Sequence, residues 1–470
     1  MKSSLSLSLS LSLAAAAAAA VGPDYARPEI ASPVTWNAAT SADTIPRGDW
    51  WTLFGDSELD ALILRSLDGN QDLQAAAARV EQARAAAGIA RSAYFPSAAV
   101  GASADRSRTS RTTDVVMPLA ETETIRGALD ASWELDLFGR VRRLNESARA
   151  GAAASAADFE SVRLALTAEV AANYFSLRAL DREIALVDEG VALRRRALEL
   201  VTSRRTGGAA TDFDVARAES ELASTEAESS ALANRRAALQ NALAVLVGEV
   251  AGDFAISNFK SEISEPPAVP AGLPSALLER RPDIAAAEQS LVAVNAQIGV
   301  AKAAFFPAIS LTGSAGYASG EIDRLFRADS RAWSIGPSVY LPIFQGGRNR
   351  ANLERSRAAY EEGVARYRQR VLIAFREVQD ALTATQLLAS QAEALDRAVA
   401  AARRSGELAQ TRYDAGYVNY FEVIDAQRTL LASERAATQL GAQRLLTSVA
   451  LVKSLGGGWT NPATVASNIH

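Results

Sequence analysis

The chain repeats itself. The segment DLQAAAARVEQARAAAGIARSAYFP (72–96) aligns without gaps to DIAAAEQSLVAVNAQIGVAKAAFFP (283–307), so that Asp72, Gly88, Phe95 and Pro96 stand 211 residues before Asp283, Gly299, Phe306 and Pro307. Farther along the offset becomes 208: Arg204, Gly208, Phe213, Val215 and Leu222 precede Arg412, Gly416, Phe421, Val423 and Leu430. Two collinear matches of this kind mark a tandem duplication, and whatever one half folds into the other must fold into as well.

Each half reads in the same order: a helix, a Pro-marked break, two alternating segments, a long helix, a Gly-bearing turn and another long helix. The expected division is a signal peptide over 1–20, an N-terminal segment over 21–55, a first repeat over 56–250, a linker over 251–275, a second repeat over 276–459 and a tail over 460–470. Pro266, Pro267, Pro270 and Pro274 mark the linker. The helices of 72–92 and its counterpart stop at Pro96 and Pro307, because proline lacks the amide hydrogen and clashes with the preceding turn.

Composition narrows the chemistry. Hydrophobic residues make up 49% of the 470, much of it alanine, and charged residues 22%, a mixture that suits long helices with close small-residue packing. The net charge of −5 gives no basic field for nucleic acid. There is no cysteine and the single histidine is His470, so thiol and imidazole chemistry and cysteine metal sites are out of reach. No paired acidic motif stands in a pocket-like context either; we expect no enzyme, no cofactor and no metal.

Lys2, the Leu/Ser run to Leu13 and the alanines of 14–20 have the order of an export signal, although half of its apolar region is serine and a misplaced start codon is a competing reading. No other stretch approaches the ~18 consecutive apolar residues of a membrane helix. If the mature chain crosses a membrane, it must do so with strands.

Suitable strands exist. From Ile125 to Leu137 every odd position is apolar or glycine, while the even ones include Arg126, Asp130, Ser132, Glu134 and Asp136; this period of two describes a strand with one greasy and one charged face. Similar alternation runs through 306–320 and 334–344, and more weakly through 96–107. The segments reach the ~9–11 residues of a tilted membrane strand, against about 5–6 for an ordinary one. Asp130, Glu134 and Asp136 would then face a wet lumen. A pair of half-buried hairpins in a soluble domain is the competing reading. Four strands cannot close a barrel, and an open edge is not tolerated in hydrocarbon, so several chains must share one barrel. Two chains give about eight strands and a filled interior, whereas three give about twelve and leave a lumen. Conduction favours three, and the expected fold is then a tandemly duplicated α+β membrane protein, a homotrimeric 12-stranded β-barrel with four strands per chain, continued by long helices.

Residues 348–411 lack proline and read as one helix of on the order of 90 Å. Val371, Phe375, Val378, Leu382, Ala389, Ala392 and Val399 form a heptad-like seam, and Val170, Tyr174, Leu177 and Ile184 do the same in the first half. The barrel-to-helix junctions are LDLFGRVRR (135–143) and LPIFQGGRNR (341–350), where Gly139, Gly346 and Gly347 permit the kink. The far turns lie at 203–219 and 411–427, and Gly208 and Gly416 read as the residues that close helix C-termini.

From VGPDYARP (21–28) through ERRPDIAAAEQ (279–289) and the RYDAG…DAQ turn to GGGW (456–459), the chain resembles an outer-membrane factor of the TolC family, in its efflux subgroup. The resemblance implies a trimer whose helices form a periplasmic tunnel below an equatorial segment, in contact with outer-membrane lipid, a periplasmic adaptor and an inner-membrane pump of the resistance-nodulation-division type in a Gram-negative cell. It also implies a gate: a ring of Asp425 held shut by polar links from Arg412 and Tyr413. The plainer alternative for these residues is a solvated surface carboxylate and a helix-terminal arginine. The tip residues Arg204, Gly208, Phe213, Gly416 and Phe421 would shape the adaptor contact. Many members of the subgroup carry a lipidated cysteine before the VGPDY-like segment, where this sequence has alanine, so the resemblance does not carry a lipid anchor over to this chain. A conduit for type I protein secretion and a soluble periplasmic coiled-coil scaffold are the alternative functions.

Overall fold

Alternating side chains make strands, and alanine-rich stretches without proline make helices; the computed structural model follows both rules, with elements in the same order in the two halves. It describes residues 20–30, 36, 48–110, 121–256, 265–272, 274 and 277–460. The expected signal peptide (Ala20 apart) and C-terminal tail (Thr460 apart) lie outside the described residues, as do parts of the 21–55 segment and of the linker.

A short 3-10 turn over Trp50–Phe54 leads to α1 (Ser57–Gly69), α2 (Gln71–Ser92), β1 (Ser97–Arg108), β2 (Glu121–Leu135), α3 (Arg140–Thr206) and α4 (Asp212–Val247). After one helical turn at Leu277–Arg280 come α5 (Pro282–Ala303), β3 (Ala308–Ser319), β4 (Arg331–Tyr340), α6 (Arg348–Asp414) and α7 (Tyr420–Ser454). Among the described residues no helix is long and apolar enough to cross a membrane.

The chain divides into two compact units, one of 1–29, 79–156 and 286–368, the other of 30–78, 157–285 and 369–470. The first holds the four strands, all antiparallel, in the order β1-β2-β3-β4. The alternating segments read from sequence are all strands, displaced by a few residues. The segment 334–344 is displaced most, since β4 spans Arg331–Tyr340 and Pro342 removes a ladder donor just beyond it. The second unit holds the main hydrophobic core, in which Leu59, Ile63, Tyr174, Leu177, Leu243 and Val452 are essentially fully buried. Burying one such aliphatic side chain contributes roughly 1.5–3 kcal/mol.

Helices α3 and α6 are each 67 residues long, about 100 Å at the helical rise. In the expected seam Val371, Val378 and Leu382 are buried and Ala389, Ala392 and Val399 half-buried; in α3 Val170, Tyr174 and Leu177 are buried. Several buried charges of the second unit are paired. Arg178 donates to Glu58 and Asp181, Arg236 to Asp181, and Arg435 to Glu183, as low-dielectric surroundings require.

Candidate functional site

The strand register sorts the sheet into two chemical faces. In antiparallel pairs directly opposed residues share a face, and Leu129 opposes Val100 on one side and Ala315 on the other. Trp133 opposes Leu311, and Leu311 in turn opposes Pro337. The face so formed carries Val100, Leu129, Trp333, Ile335 and Val339, each at least half exposed. The opposite face carries Ser103, Asp105, Arg126, Asp130, Glu134, Ser314 and Ser334, with Arg126 bridging Asp130 at 3.1 Å and the Ser314 hydroxyl at 2.7 Å. An apolar surface this continuous on a monomer marks contact with lipid or another chain.

Where β2 hands over to α3, Gly139 takes φ +79°, a left-handed conformation that glycine alone adopts without strain. Asp136 does not line the polar face as expected. It lies beyond the end of β2, and its carboxylate accepts from the backbone N–H groups of Val141 and Arg142, both at 2.9 Å. The first turn of a helix leaves its N–H groups without partners, and that need captured the carboxylate. Glu134 is engaged too, by Arg140 at 2.7 Å. Phe138 stacks on Phe306 with ring centroids 4.9 Å apart. At the second junction Gly346 and Gly347 have φ +58° and +85°, and Asn349 Nδ2 donates to the Ala304 carbonyl at 2.8 Å. A pocket of about 190 Å³, lined among others by Glu134, Phe306, Tyr340 and Arg348, opens between these segments.

The two far turns are built alike. Ala209 N–H bonds the Arg204 carbonyl at 2.8 Å and Gly208 N–H that of Arg205 at 3.0 Å; Tyr417 and Gly416 repeat the pattern onto Arg412 and Tyr413, both at 2.9 Å. With φ +75° at Gly208 and +77° at Gly416, each is a Schellman closure of a long helix. Thr211 with Asp214, and Asn419 with the amides of Phe421 and Glu422, then start α4 and α7.

Side chains join the turns of the two repeats. The Arg204 guanidinium lies 4.9 Å from the centroid of the Tyr413 ring, and that of Arg217 lies 4.2 Å from the centroid of Phe421. Tyr413 also packs edge-on against Tyr420 at 5.1 Å; it is buried, and its hydroxyl has no hydrogen-bond partner. Arg412 and Asp425 are exposed, and among the described residues neither side chain forms an ion pair. Phe213, the counterpart of Phe421, is 69% exposed. The residues named for the gate therefore do not meet within one chain, and the tyrosine is turned into its own protomer.

Both repeats match the family model described as outer membrane efflux protein, over residues 62–249 and 273–457. The chain belongs to that family. It is 36% identical over 449 residues to the outer membrane protein OprJ of Pseudomonas aeruginosa, with 93% of each chain covered. Against the cation efflux system protein CusC of Escherichia coli it is 32% identical over 444 residues, covering 93% of this chain and 95% of the relative. Among solved structures it superposes on the open state of the Neisseria gonorrhoeae MtrE outer membrane channel with a TM-score of 0.81 and 32% identity, over 94% of this chain and 98% of that one.

This outer membrane efflux protein thus works at the outer membrane, which removes the soluble scaffold as a reading. Among the described residues no cluster of acidic or histidine side chains could hold a metal. Sequence reasoning missed the two arginine–aromatic contacts, because spacing says nothing about which turns meet. The charges of VGPDYARP and ERRPDIAAAEQ likewise follow no spacing that names their partners. In the structure Arg27 holds Glu288 with two bonds of 2.7 and 2.6 Å, Arg143 reaches Asp24 at 2.7 Å, and Arg281 holds Asp283.

Proposed function

We propose that three copies of this chain close a 12-stranded barrel in the outer membrane and continue it as a helical tunnel in the periplasm. Small molecules delivered by an inner-membrane pump, docked through a periplasmic adaptor, leave passively through that duct. The observation that carries the reading is the sheet itself. Among the described residues its outer strands β1 and β4 each pair on one side only, and its apolar face is solvent-exposed in a single chain. Open ladder edges are not sustained in hydrocarbon, so both edges need other chains. Three times four strands leave a lumen, whereas twice four do not.

At the far end, Asp425 from three copies would gather negative charge at one constriction, raising cation affinity and mutual repulsion. The exposure of Asp425 and Arg412 within the chain supports such a role in the assembly. Among the tip residues Phe213 is an exposed aromatic side chain and offers an apolar contact for an adaptor; Arg204 and Phe421 are engaged within the chain, and Gly208 and Gly416 shape the turns.

The test is mass measurement of the detergent-extracted outer-membrane protein, followed by conductance in planar bilayers. A trimer forming single channels agrees with the reading. A monomer, or a trimer that never conducts, would reject it.

A further inference from the structure

The two barrel-to-helix junctions are copies of one duplicated unit, and they differ in charge. Leu135, Asp136 and Phe138 correspond to Leu341, Pro342 and Phe344 at an offset of 206. Beyond the inserted pair Gln345 and Gly346 the offset is 208, so that Gly139, Arg140 and Arg142 correspond to Gly347, Arg348 and Arg350. The backbone repeats at that offset too: Arg143 N–H bonds the Gly139 carbonyl at 2.9 Å, and Ala351 N–H bonds that of Gly347 at 3.0 Å.

In the first junction two carboxylates satisfy the start of the helix. Glu134 accepts from Arg140 at 2.7 Å, and Asp136 accepts from the amides of Val141 and Arg142, both at 2.9 Å. In the second junction both carboxylates are replaced, since Glu134 corresponds to Tyr340 and Asp136 to Pro342. The groups that held them are retained. Among the described residues Arg348 forms no ion pair, its guanidinium bonding the Gln345 side-chain oxygen at 3.2 Å, and no acidic residue stands in the first turn of α6 to take the amides of Asn349 and Arg350.

Arg348 and Asn349 line the junction pocket of about 190 Å³, with Phe306, Tyr340 and Pro342 as its apolar wall. Glu134 and Asp136 border it as well, but each is already engaged by the first junction, so Arg348 leaves the pocket with a net positive charge. Glu134 and Ser310 are opposed, as are Ala308 and Tyr340, which puts Tyr340 on the polar side of the sheet. That is the side the proposed barrel turns to its lumen.

From this we infer that the second junction binds a small aromatic carboxylate on its way through the duct. The ligand's carboxylate takes the place that Glu134 and Asp136 hold in the first repeat, on Arg348 and the amides of Asn349 and Arg350, and its ring lies against Phe306 and Tyr340. A carboxylate on a guanidinium makes charge-assisted bonds, which are the strong ones. Size sets the ring count, because a dry cavity of about 150 Å³ already holds benzene. Such a site gives the duct a preference for aromatic acids over neutral rings of the same size. Its place in the duct rests on the trimeric reading above, whereas the binding itself is read by titration, apart from mass and conductance.

The probe is fluorobenzoate, titrated into the millimolar range against the detergent-extracted full-length protein and followed by fluorine NMR line broadening. Benzoate should displace it, while benzyl alcohol and acetate, each lacking one half of the recognition, should compete at least about tenfold less well. Arg348→Gln should weaken binding about tenfold or more. Arg350→Gln keeps its amide and removes an exposed pair to Glu354 at 3.0 Å, so binding should stay within about twofold. Tyr340→Glu with Pro342→Asp restores the two carboxylates of the first repeat and should abolish binding while raising the thermal midpoint. No saturable broadening with the parent protein, or binding that Arg348→Gln leaves intact, would overturn the site. Acetate as effective as benzoate would overturn the aromatic class. A parent that binds fluorobenzoate yet is monomeric by mass would reject the trimeric reading and leave the site standing.

Discussion

Arg281 holds both carboxylate oxygens of Asp283, at 2.9 and 2.7 Å, across the single proline that starts α5. The same guanidinium donates to Glu377 at 2.7 Å and to the Ser454 carbonyl at 3.0 Å, so one buried arginine ties the start of α5 to α6 and to the end of α7. Burial alone would raise the Asp283 carboxyl, but the bonds and charge of Arg281, helped by Arg370, outweigh it and hold that carboxyl below its usual range.

A depressed carboxyl stabilises the fold above the ordinary carboxylate pKa of about 4, and the contribution fades as pH falls through the lower folded value. Asp283→Asn should therefore lower the thermal midpoint at pH 7, with a cost of about 3 kcal/mol for uncovering a buried charge. The gap to the parent should narrow as pH falls below about 4 and through the lower folded value. Thermal melts in detergent across that range check both. A gap independent of pH would mean that packing, and not the ion pair, carries the effect.

The contacts between the turns are weaker and more local. An exposed arginine over an aromatic ring contributes about 0.5–1 kcal/mol, which corresponds to roughly 2–5-fold in an opening equilibrium. Arg204→Ala should accelerate amide exchange around 411–421 by that factor, and Arg217→Ala should act similarly around Phe421. Arg205→Ala, which removes an exposed ion pair to Asp212 at 2.7 Å and touches neither ring, should leave exchange at 411–421 unchanged. Equal effects from all three would assign the change to lost charge instead of lost ring contact.

Asp425 provides a separate test of the constriction. Three symmetric carboxylates bind cations through their summed field, so Asp425→Ala should raise single-channel conductance or weaken cation block in planar bilayers. If neither changes, Asp425 is a solvated carboxylate on the outside of the tip.

Much of this was legible in the sequence where a period of two or a repeat offset carried it. The alternation from Ile125 to Trp133 marked β2, and the equivalence of Gly208 and Gly416 marked two identical helix closures. Asp136 was misjudged, because alternation continues one step past the last ladder residue and cannot tell a lumen carboxylate from a helix cap. Arg204 over Tyr413 was invisible, since the two residues lie on turns of different repeats and no pattern along the chain records that they meet.

Repeats also diverge, and Gly88 and Gly299 measure how far. They are counterparts in the best-aligned segment, yet a Cβ on Gly88 meets nothing within 4 Å while one on Gly299 would lie 2.8 Å from the Val21 carbonyl oxygen and 2.7 Å from Arg143 Cγ. The reason is that the segment 20–30 occurs once. It lies against α5, with Val21 N–H on the Phe138 carbonyl at 3.1 Å, Asn295 donating to the Pro23 carbonyl at 3.1 Å and Asp24 on Arg143. Helix interiors prefer alanine to glycine by about 0.5–1 kcal/mol. Gly88→Ala should therefore raise the thermal midpoint slightly, whereas Gly299→Ala should lower it and speed proteolysis within 20–30. If Gly299→Ala stabilised the protein as Gly88→Ala does, the close approach of Val21 to α5 would not be holding the N-terminal segment in place.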